Sequence, residues 1–188
     1  MRRSLPNIIT VSRVAAAPVV AFLVWQDPEP ALRWWGLGLF ALAAVTDFLD
    51  GWIARRWQVV SPFGRMLDPI ADKLLIVAVI LALAAQQPSG WLFMLPSLVI
   101  LFREFLVAGL REFLAGAEIV LAVTLMAKWK TALQMVALGI LIIAPILDQT
   151  GPDQEGWLQT GGLLLYWVSA VMTAWTGISY FHAARKYL

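Results

Sequence analysis

Long apolar stretches, broken at short intervals by turn residues, dominate the chain. Six of them approach the length of a membrane-crossing helix: Ile8–Trp25, Ala31–Arg56, Phe63–Gln86, Gly90–Leu114, Lys130–Leu147 and Trp157–Tyr180. An α-helix needs roughly 20 residues to cross about 30 Å of hydrocarbon, and these stretches follow one another closely. The breaks fall at Asp27-Pro28-Glu29-Pro30, Ser61-Pro62, Gln87-Pro88-Ser89-Gly90 and Gly151-Pro152-Asp153. Turn residues of this kind inside an otherwise apolar run mark membrane surfaces. The pattern therefore predicts an all-α, polytopic integral membrane protein with six transmembrane helices, organised as a single domain over residues 1–188. The segment Ile119–Ala127 is also apolar, but it is short and lies between Glu118 and Lys128, so it is expected to form a loop or an interfacial helix. No small-residue cleavage site follows Ile8–Trp25, which is read as a retained first span.

Composition sharpens this picture. Hydrophobic residues make up 61% of the chain and charged residues 14%, far from soluble-domain usage. Cysteine is absent, which excludes disulfides, thiolate metal sites and cysteine nucleophiles, and leaves oxygen ligands or the lone His182 for any metal. His182 is read as an interfacial side chain. A net charge of +2 with scattered basic residues gives no reason to expect a nucleic-acid partner. Membrane topology explains those residues instead. Arg2, Arg3, Arg13, Arg55, Arg56, Arg65, Arg111, Lys128, Lys130, Arg185 and Lys186 fall on or near one side, Arg33 falls on the other, and Lys73 and Arg103 lie within spans. The positive-inside rule then puts both termini in the cytoplasm of a cell whose inner membrane holds the protein. Trp25, Trp34, Trp35, Trp57, Trp91, Trp129 and Trp157 sit near span ends, as interfacial anchors do.

Four aspartates carry the chemistry. Asp47 and Asp50 are three apart near the end of the second span, and Asp68 and Asp72 are four apart near the start of the third. Each spacing puts its pair on one helical face, and the short connection makes the two helices antiparallel neighbours, so all four carboxylates can converge. At about 1.5 Å rise per residue, Asp47 lies roughly 12 Å deeper than Arg55, still in the cytoplasmic half of the bilayer. Carboxylates crowded together in hydrocarbon repel one another and protonate unless a cation compensates them. Oxygen-only ligation favours Mg²⁺ or Mn²⁺, and four carboxylates suit two ions about 3.5–4 Å apart, the arrangement of enzymes that act at phosphorus. Gly51 and Ala54 leave room beside the aspartates, and Arg55 can grip a phosphate. Salt bridging to Lys73, Arg65 or Arg103 is the alternative account of the aspartates, but it supplies few bases, and close helix packing is the alternative account of the small residues.

The complete pattern D-x2-D-G-x2-A-R-x8-G-x3-D-x3-D, from Asp47 to Asp72, resembles the signature of the CDP-alcohol phosphatidyltransferases. The resemblance implies that family's six-helix membrane fold, a homodimer, and displacement of CMP from a CDP-linked donor by an alcohol. It also implies that Asp47, Asp50, Asp68 and Asp72 bind the metals, that Asp72 is the base for the attacking hydroxyl, and that Gly51, Ala54, Arg55 and Gly64 line the CDP pocket. The segment Pro6-Asn7-Ile8-Ile9-Thr10-Val11-Ser12-Arg13 is similar to the family's first-helix element, which places Asn7 and Thr10 near the nucleotide. Within the family, Arg103-Glu104-Phe105, Leu110-Arg111-Glu112-Phe113 and Lys128-Trp129-Lys130-Thr131-Ala132-Leu133-Gln134-Met135 look like the branch that makes phosphatidylglycerol phosphate. That branch takes CDP-diacylglycerol as donor and sn-glycerol 3-phosphate as acceptor. A doubly charged acceptor needs cations of its own, and Arg103, Arg111, Lys128 and Lys130 are available for it; the alternative is that Arg103 pairs with Glu104 or Glu118 and that Lys128 and Lys130 are topological charges contacting anionic lipid. Glu104 and Glu112 are read as positioning neighbouring arginines. Met126-Ala127-Lys128 departs from relatives that carry glycine before the lysine, which affects only loop conformation. The competing readings are a synthase of cardiolipin, inositol lipids or serine lipids, a cation channel or transporter, or a purely structural membrane scaffold, which leaves four aspartates at one depth unexplained. A transporter built from repeats should show two matching halves, and the acidic cluster has no counterpart between Lys130 and Leu188.

Overall fold

The computed structural model describes residues 5–26, 30–57, 62–86, 90–116, 125–148 and 156–187. They form six α-helices: α1 (Leu5–Trp25), α2 (Pro30–Trp57), α3 (Pro62–Gln86), α4 (Trp91–Gly116), α5 (Leu125–Leu147) and α6 (Trp157–Ala184). Among the described residues, Trp91–Gly116, Met126–Leu147 and Trp157–Ala184 are long and apolar enough to cross a membrane, and α1 and α3 contribute the shorter apolar stretches Thr10–Trp25 and Lys73–Gln86. The helix boundaries follow the apolar pattern with one notable difference. α5 starts at Leu125, five residues before Lys130, so Leu125, Met126 and Ala127 belong to its first turn rather than to the preceding loop. Leucine, methionine, alanine and lysine are strong helix formers, and no glycine or proline separates them from the span. Residues 119–124 of the expected loop lie outside the described residues.

Two compact units make up the chain: Met1–Gln86 with Pro145–Leu147, and Gln87–Ala144 with Asp148–Leu188. In the first, α1 packs against both α2 and α3. Its inward seam is Thr10, Arg13, Ala17, Val20 and Val24, spaced alternately by three and four residues and buried throughout. That spacing keeps one stripe of a helix facing its neighbours. Polar residues occupy one end of the stripe and apolar residues the other. A polar clasp closes the apolar end. Gln86 Nε2 donates to the Val24 and Trp25 carbonyls at 2.8 and 2.6 Å, and Gln86 Oε1 accepts from Arg33 Nη2 at 2.7 Å. The last carbonyls of a helix have no partner within it, so the end of α3 here caps the end of α1. Arg33, the one basic residue assigned to the non-cytoplasmic side, is 2% exposed in this clasp. Gly36 permits the close approach of α2, because a Cβ there would lie 3.1 Å from Val24 Cγ2.

In the second unit, α6 buries a stripe of small and hydroxylated residues: Gly162, Tyr166, Ser169, Ala170, Thr173, Thr176, Tyr180 and Ala184. α4 packs along this stripe in the same direction, with Phe93 stacked on Tyr166 at a centroid distance of 5.3 Å. Ser97 Oγ lies 2.7 Å from the Phe93 carbonyl and 3.0 Å from Tyr166 Oη. A hydroxyl has one proton, so Ser97 donates to the carbonyl and accepts from the tyrosine. α5 runs antiparallel to both helices, and a Cβ on Gly162 would lie 3.0 Å from Ile140 Cγ2 and Leu141 Cδ2. Asp148 then accepts from the Leu158 and Gln159 backbone N–H groups at 3.2 and 3.1 Å, capping the start of α6 with a carboxylate. Such a cap satisfies free amides and suits the positive end of the helix dipole.

Proline is compensated in the same unit. Pro96 has no N–H, so the Leu92 carbonyl four residues earlier loses its helical donor. Trp167 Nε1 of α6 donates to that carbonyl at 2.8 Å. Hydrocarbon supplies no water to do so, and neighbouring side chains take over this role in membrane helices. Trp167→Phe should lower the thermal stability of the detergent-solubilised protein by about 1 kcal/mol, the scale of an interhelical hydrogen bond in a membrane. The loss should largely disappear in a Pro96→Ala background, where the alanine N–H meets the same carbonyl. Equal losses in the two backgrounds would rule out this pairing.

Candidate active site

The signature residues lie on two unbroken helices. α2 runs continuously through Asp47, Asp50, Gly51, Ala54 and Arg55, and α3 through Gly64, Asp68 and Asp72. Each aspartate pair therefore occupies positions about one turn apart. The side chains of these eight residues and of Asn7 lie outside the described residues. Among the described residues, no group of three or more His, Asp or Glu side chains is close enough to hold a metal ion. α2 starts and α3 ends at the Gln86 clasp, so the aspartate segment is at the opposite end of this unit. From Arg33 to Asp47 along α2 is about 21 Å at 1.5 Å per residue. The polar end of the α1 seam, with Thr10 and Arg13 one turn apart and buried, is at that same end. Arg13 was counted from sequence only as a topological charge, and its burial at 4% exposure makes it part of the interior.

The second unit gathers another polar group. Arg103 Nη1 donates to Glu104 Oε1 at 3.1 Å, and Lys130 Nζ donates to the same oxygen. A single carboxylate thus holds two cations, one from α4 and one from the first turns of α5. Arg103 Nη2 donates to Thr176 Oγ1 at 3.2 Å, and the Tyr180 ring lies under the guanidinium with 5.5 Å between Cζ and the centroid. Thr176 Oγ1 lies 3.0 Å from the Thr173 carbonyl and donates its proton there, so its lone pairs face Arg103. Lys130 is 3% exposed. One turn further along α5, Gln134 is 1% exposed and its Nε2 has no hydrogen-bond partner among the described residues. Four basic residues were expected to serve an acceptor phosphate, and the structure brings Arg103 and Lys130 together through Glu104. Arg111 and Lys128 are exposed. Thr176 and Tyr180 had drawn no functional reading from the sequence, and Gln134 had entered only as part of the Lys128–Met135 segment, with no role of its own. The signal available for them was the recurrence of polar residues at helical spacing along a membrane span, Ser169, Thr173, Thr176 and Tyr180 above all.

A family model described as CDP-alcohol phosphatidyltransferase matches residues 3–175. The chain belongs to the CDP-alcohol phosphatidyltransferase family. Enzymes of this family generally depend on a divalent metal. The chain is 46% identical over 98% of its length to a CDP-diacylglycerol–glycerol-3-phosphate 3-phosphatidyltransferase of Rickettsia bellii, covering 97% of that protein. It is 41% identical over its whole length to an enzyme of the same name from Cereibacter sphaeroides, covering 98% of it. A CMP-forming cardiolipin synthase of Oryza sativa is 37% identical over 94% of the chain, which covers 56% of that longer protein.

The shared Glu104 carboxylate ties Arg103 of α4 to Lys130 of α5. A double-mutant cycle on Glu104→Gln and Lys130→Met should give a coupling of about 1–3 kcal/mol in thermal unfolding, as contacting residues in one network do. Additive effects within about 0.3 kcal/mol, the level seen for independent sites, would contradict the shared ion pair.

Proposed function

We propose that the protein transfers the phosphatidyl group of CDP-diacylglycerol to sn-glycerol 3-phosphate, giving phosphatidylglycerol phosphate and CMP in phospholipid biosynthesis. Near-complete coverage in both directions of two enzymes bearing that activity in their names carries this reading. The complete signature from Asp47 to Asp72 supports it. The protein is a membrane protein, and the distribution of its basic residues favours six spans in the cytoplasmic membrane with both termini and the active site facing the cytoplasm. The chain works as one domain over residues 1–188 and as a homodimer.

In this reading Asp47, Asp50, Asp68 and Asp72 hold two Mg²⁺ or Mn²⁺ ions. The donor set fits: every ligand is a hard oxygen, and each carboxylate pair sits one turn apart on a continuous helix. The ions, when bound, neutralise the diphosphate and the charge that develops on departing CMP. Asn7, Thr10, Gly51, Ala54, Arg55 and Gly64 form the CDP site, the small residues letting the nucleotide approach the backbone. Arg103 and Lys130 hold the acceptor's phosphate, with Arg111 and Lys128 drawing anionic substrate toward the membrane surface. Asp72 accepts the proton of the acceptor hydroxyl as its oxygen attacks the lipid-bearing phosphorus. The new O–P bond forms in line with the breaking bond to CMP, and no covalent enzyme intermediate is required.

The relative named as a cardiolipin synthase favours a second reading, in which phosphatidylglycerol is the acceptor. The two acceptors differ in charge, a phosphate monoester against a singly charged phosphodiester. CMP release from CDP-diacylglycerol with Mg²⁺ or Mn²⁺ should depend on glycerol 3-phosphate when glycerol 3-phosphate, phosphatidylglycerol, inositol and serine are offered separately, and a chelator should stop it. Asp72→Asn should lower kcat by at least about 100-fold, the lower end of a positioned base's contribution, with the helical content unchanged. Preference for phosphatidylglycerol would establish the second reading, and a near-wild-type rate for Asp72→Asn would remove Asp72 as the base.

A further inference from the structure

Arg103 stands on α4, yet much of what surrounds its guanidinium comes from one turn of α6. Thr176 Oγ1 accepts from Nη2 at 3.2 Å, and Cζ lies over the Tyr180 ring, 5.5 Å from its centroid. Between them in sequence is Gly177, where a Cβ would lie 2.8 Å from Arg103 Cγ, 3.6 Å from Nε and 3.8 Å from Cδ. The arginine stem therefore runs through the space that any other residue at 177 would fill. Contact at 2.8 Å is closer than carbon atoms tolerate, and Cγ is near the root of the side chain, so an added methyl could be accommodated only by moving the whole arginine. Nε lies over this notch with no hydrogen-bond partner among the described residues, while Nη1 is tied to Glu104 and Nη2 to Thr176. A guanidinium has five N–H groups in a rigid fork, so each Nη keeps a second N–H after these bonds are made.

We infer that Thr176, Gly177 and Tyr180 form a seat on α6 that fixes the Arg103 guanidinium for the acceptor phosphate. They are positioning residues that act through Arg103. The seat removes freedom from a side chain with several rotatable bonds before substrate binds, and the fork that remains suits the paired oxygens of a phosphate. Thr176 contributes through direction as well as contact, because its proton is committed to the Thr173 carbonyl at 3.0 Å and its oxygen can only accept from Arg103. Lys130, held by the same Glu104 oxygen, is the second cation of the subsite. The inference rests on the reading that Arg103 binds the acceptor phosphate, and the test separates the two.

Steady-state kinetics of the full-length enzyme in detergent–lipid micelles would be measured for Arg103→Gln, Thr176→Val, Thr176→Ser, Gly177→Ala and Tyr180→Leu, with KM determined separately for glycerol 3-phosphate and CDP-diacylglycerol. Arg103→Gln should raise the glycerol 3-phosphate KM most. Thr176→Val, Gly177→Ala and Tyr180→Leu should each raise it by about tenfold, the scale of losing one hydrogen bond to a charged group. The CDP-diacylglycerol KM should stay within about twofold in all of them, a change smaller than one weak contact. Thr176→Ser, which keeps the hydroxyl, should restore the wild-type value. An unchanged glycerol 3-phosphate KM in Arg103→Gln would overturn the acceptor reading itself. A raised KM in Arg103→Gln, with the three α6 variants unchanged, would overturn only the seat. Loss of thermal stability and kcat with both KM values unchanged would also overturn it, since that is the signature of a residue that merely packs.

Discussion

Hydrocarbon does not solvate charge, and the polar architecture of both units follows from that one constraint. An uncompensated ion or backbone group inside a bilayer costs several kcal/mol, so each such group must find its partner within the protein. Glu104 satisfies Arg103 and Lys130 together, Gln86 satisfies two carbonyls of α1 and the guanidinium of Arg33, and Trp167 satisfies the carbonyl that Pro96 strands. These partners lie on different helices. Each therefore fixes a helix against its neighbour in depth and rotation, which apolar side chains facing lipid of equal polarity cannot do.

Both units place polar groups toward one end of their buried seams. In α1 the seam passes from Thr10 and Arg13 to Ala17, Val20 and Val24, and in α5 from Lys130 and Gln134 to Ala137, Leu138 and Leu141. The apolar portions let helices approach closely, helped by Gly36 and Gly162. Chemistry that consumes a lipid-linked donor and a water-soluble acceptor requires this division, because its charged reactants enter from an aqueous face while the acyl chains stay in the membrane. The Gln86 clasp thus lies at the end of the first unit away from the aspartate segment.

Much of this was legible in the sequence because polar residues in membrane helices are conspicuous. The six helices stood out as apolar runs between prolines and glycines, and the spacing of Asp47, Asp50, Asp68 and Asp72 marked the signature without any structure. What spacing could not give was partnership. Arg33 read as a lone charge on the far side, and only the fold shows that Gln86, 53 residues later, meets it. Of Arg103, Arg111, Lys128 and Lys130, the sequence set apart only Arg103 as lying inside a span, and burial adds Lys130 to it because helix rotation turns Lys128 and Arg111 outward. The start of α5 was placed late because Lys128 looked like a membrane boundary, whereas a helix ends where its backbone hydrogen bonds end and not where its side chains become charged.

In the proposed reading, acceptor choice follows from charge held in place. Arg103 and Lys130 are gathered on the one Glu104 carboxylate and meet the acceptor together. In low dielectric, paired cations attract an anion far more strongly than they would in water. A phosphate monoester with two negative charges gains most from it, a phosphodiester less, and a neutral polyol such as inositol nothing. The carboxylate also restrains the cations, so a phosphate meets them in place and spends little binding free energy on ordering them. In that reading, selection among alcohols rests on the few residues that orient Arg103.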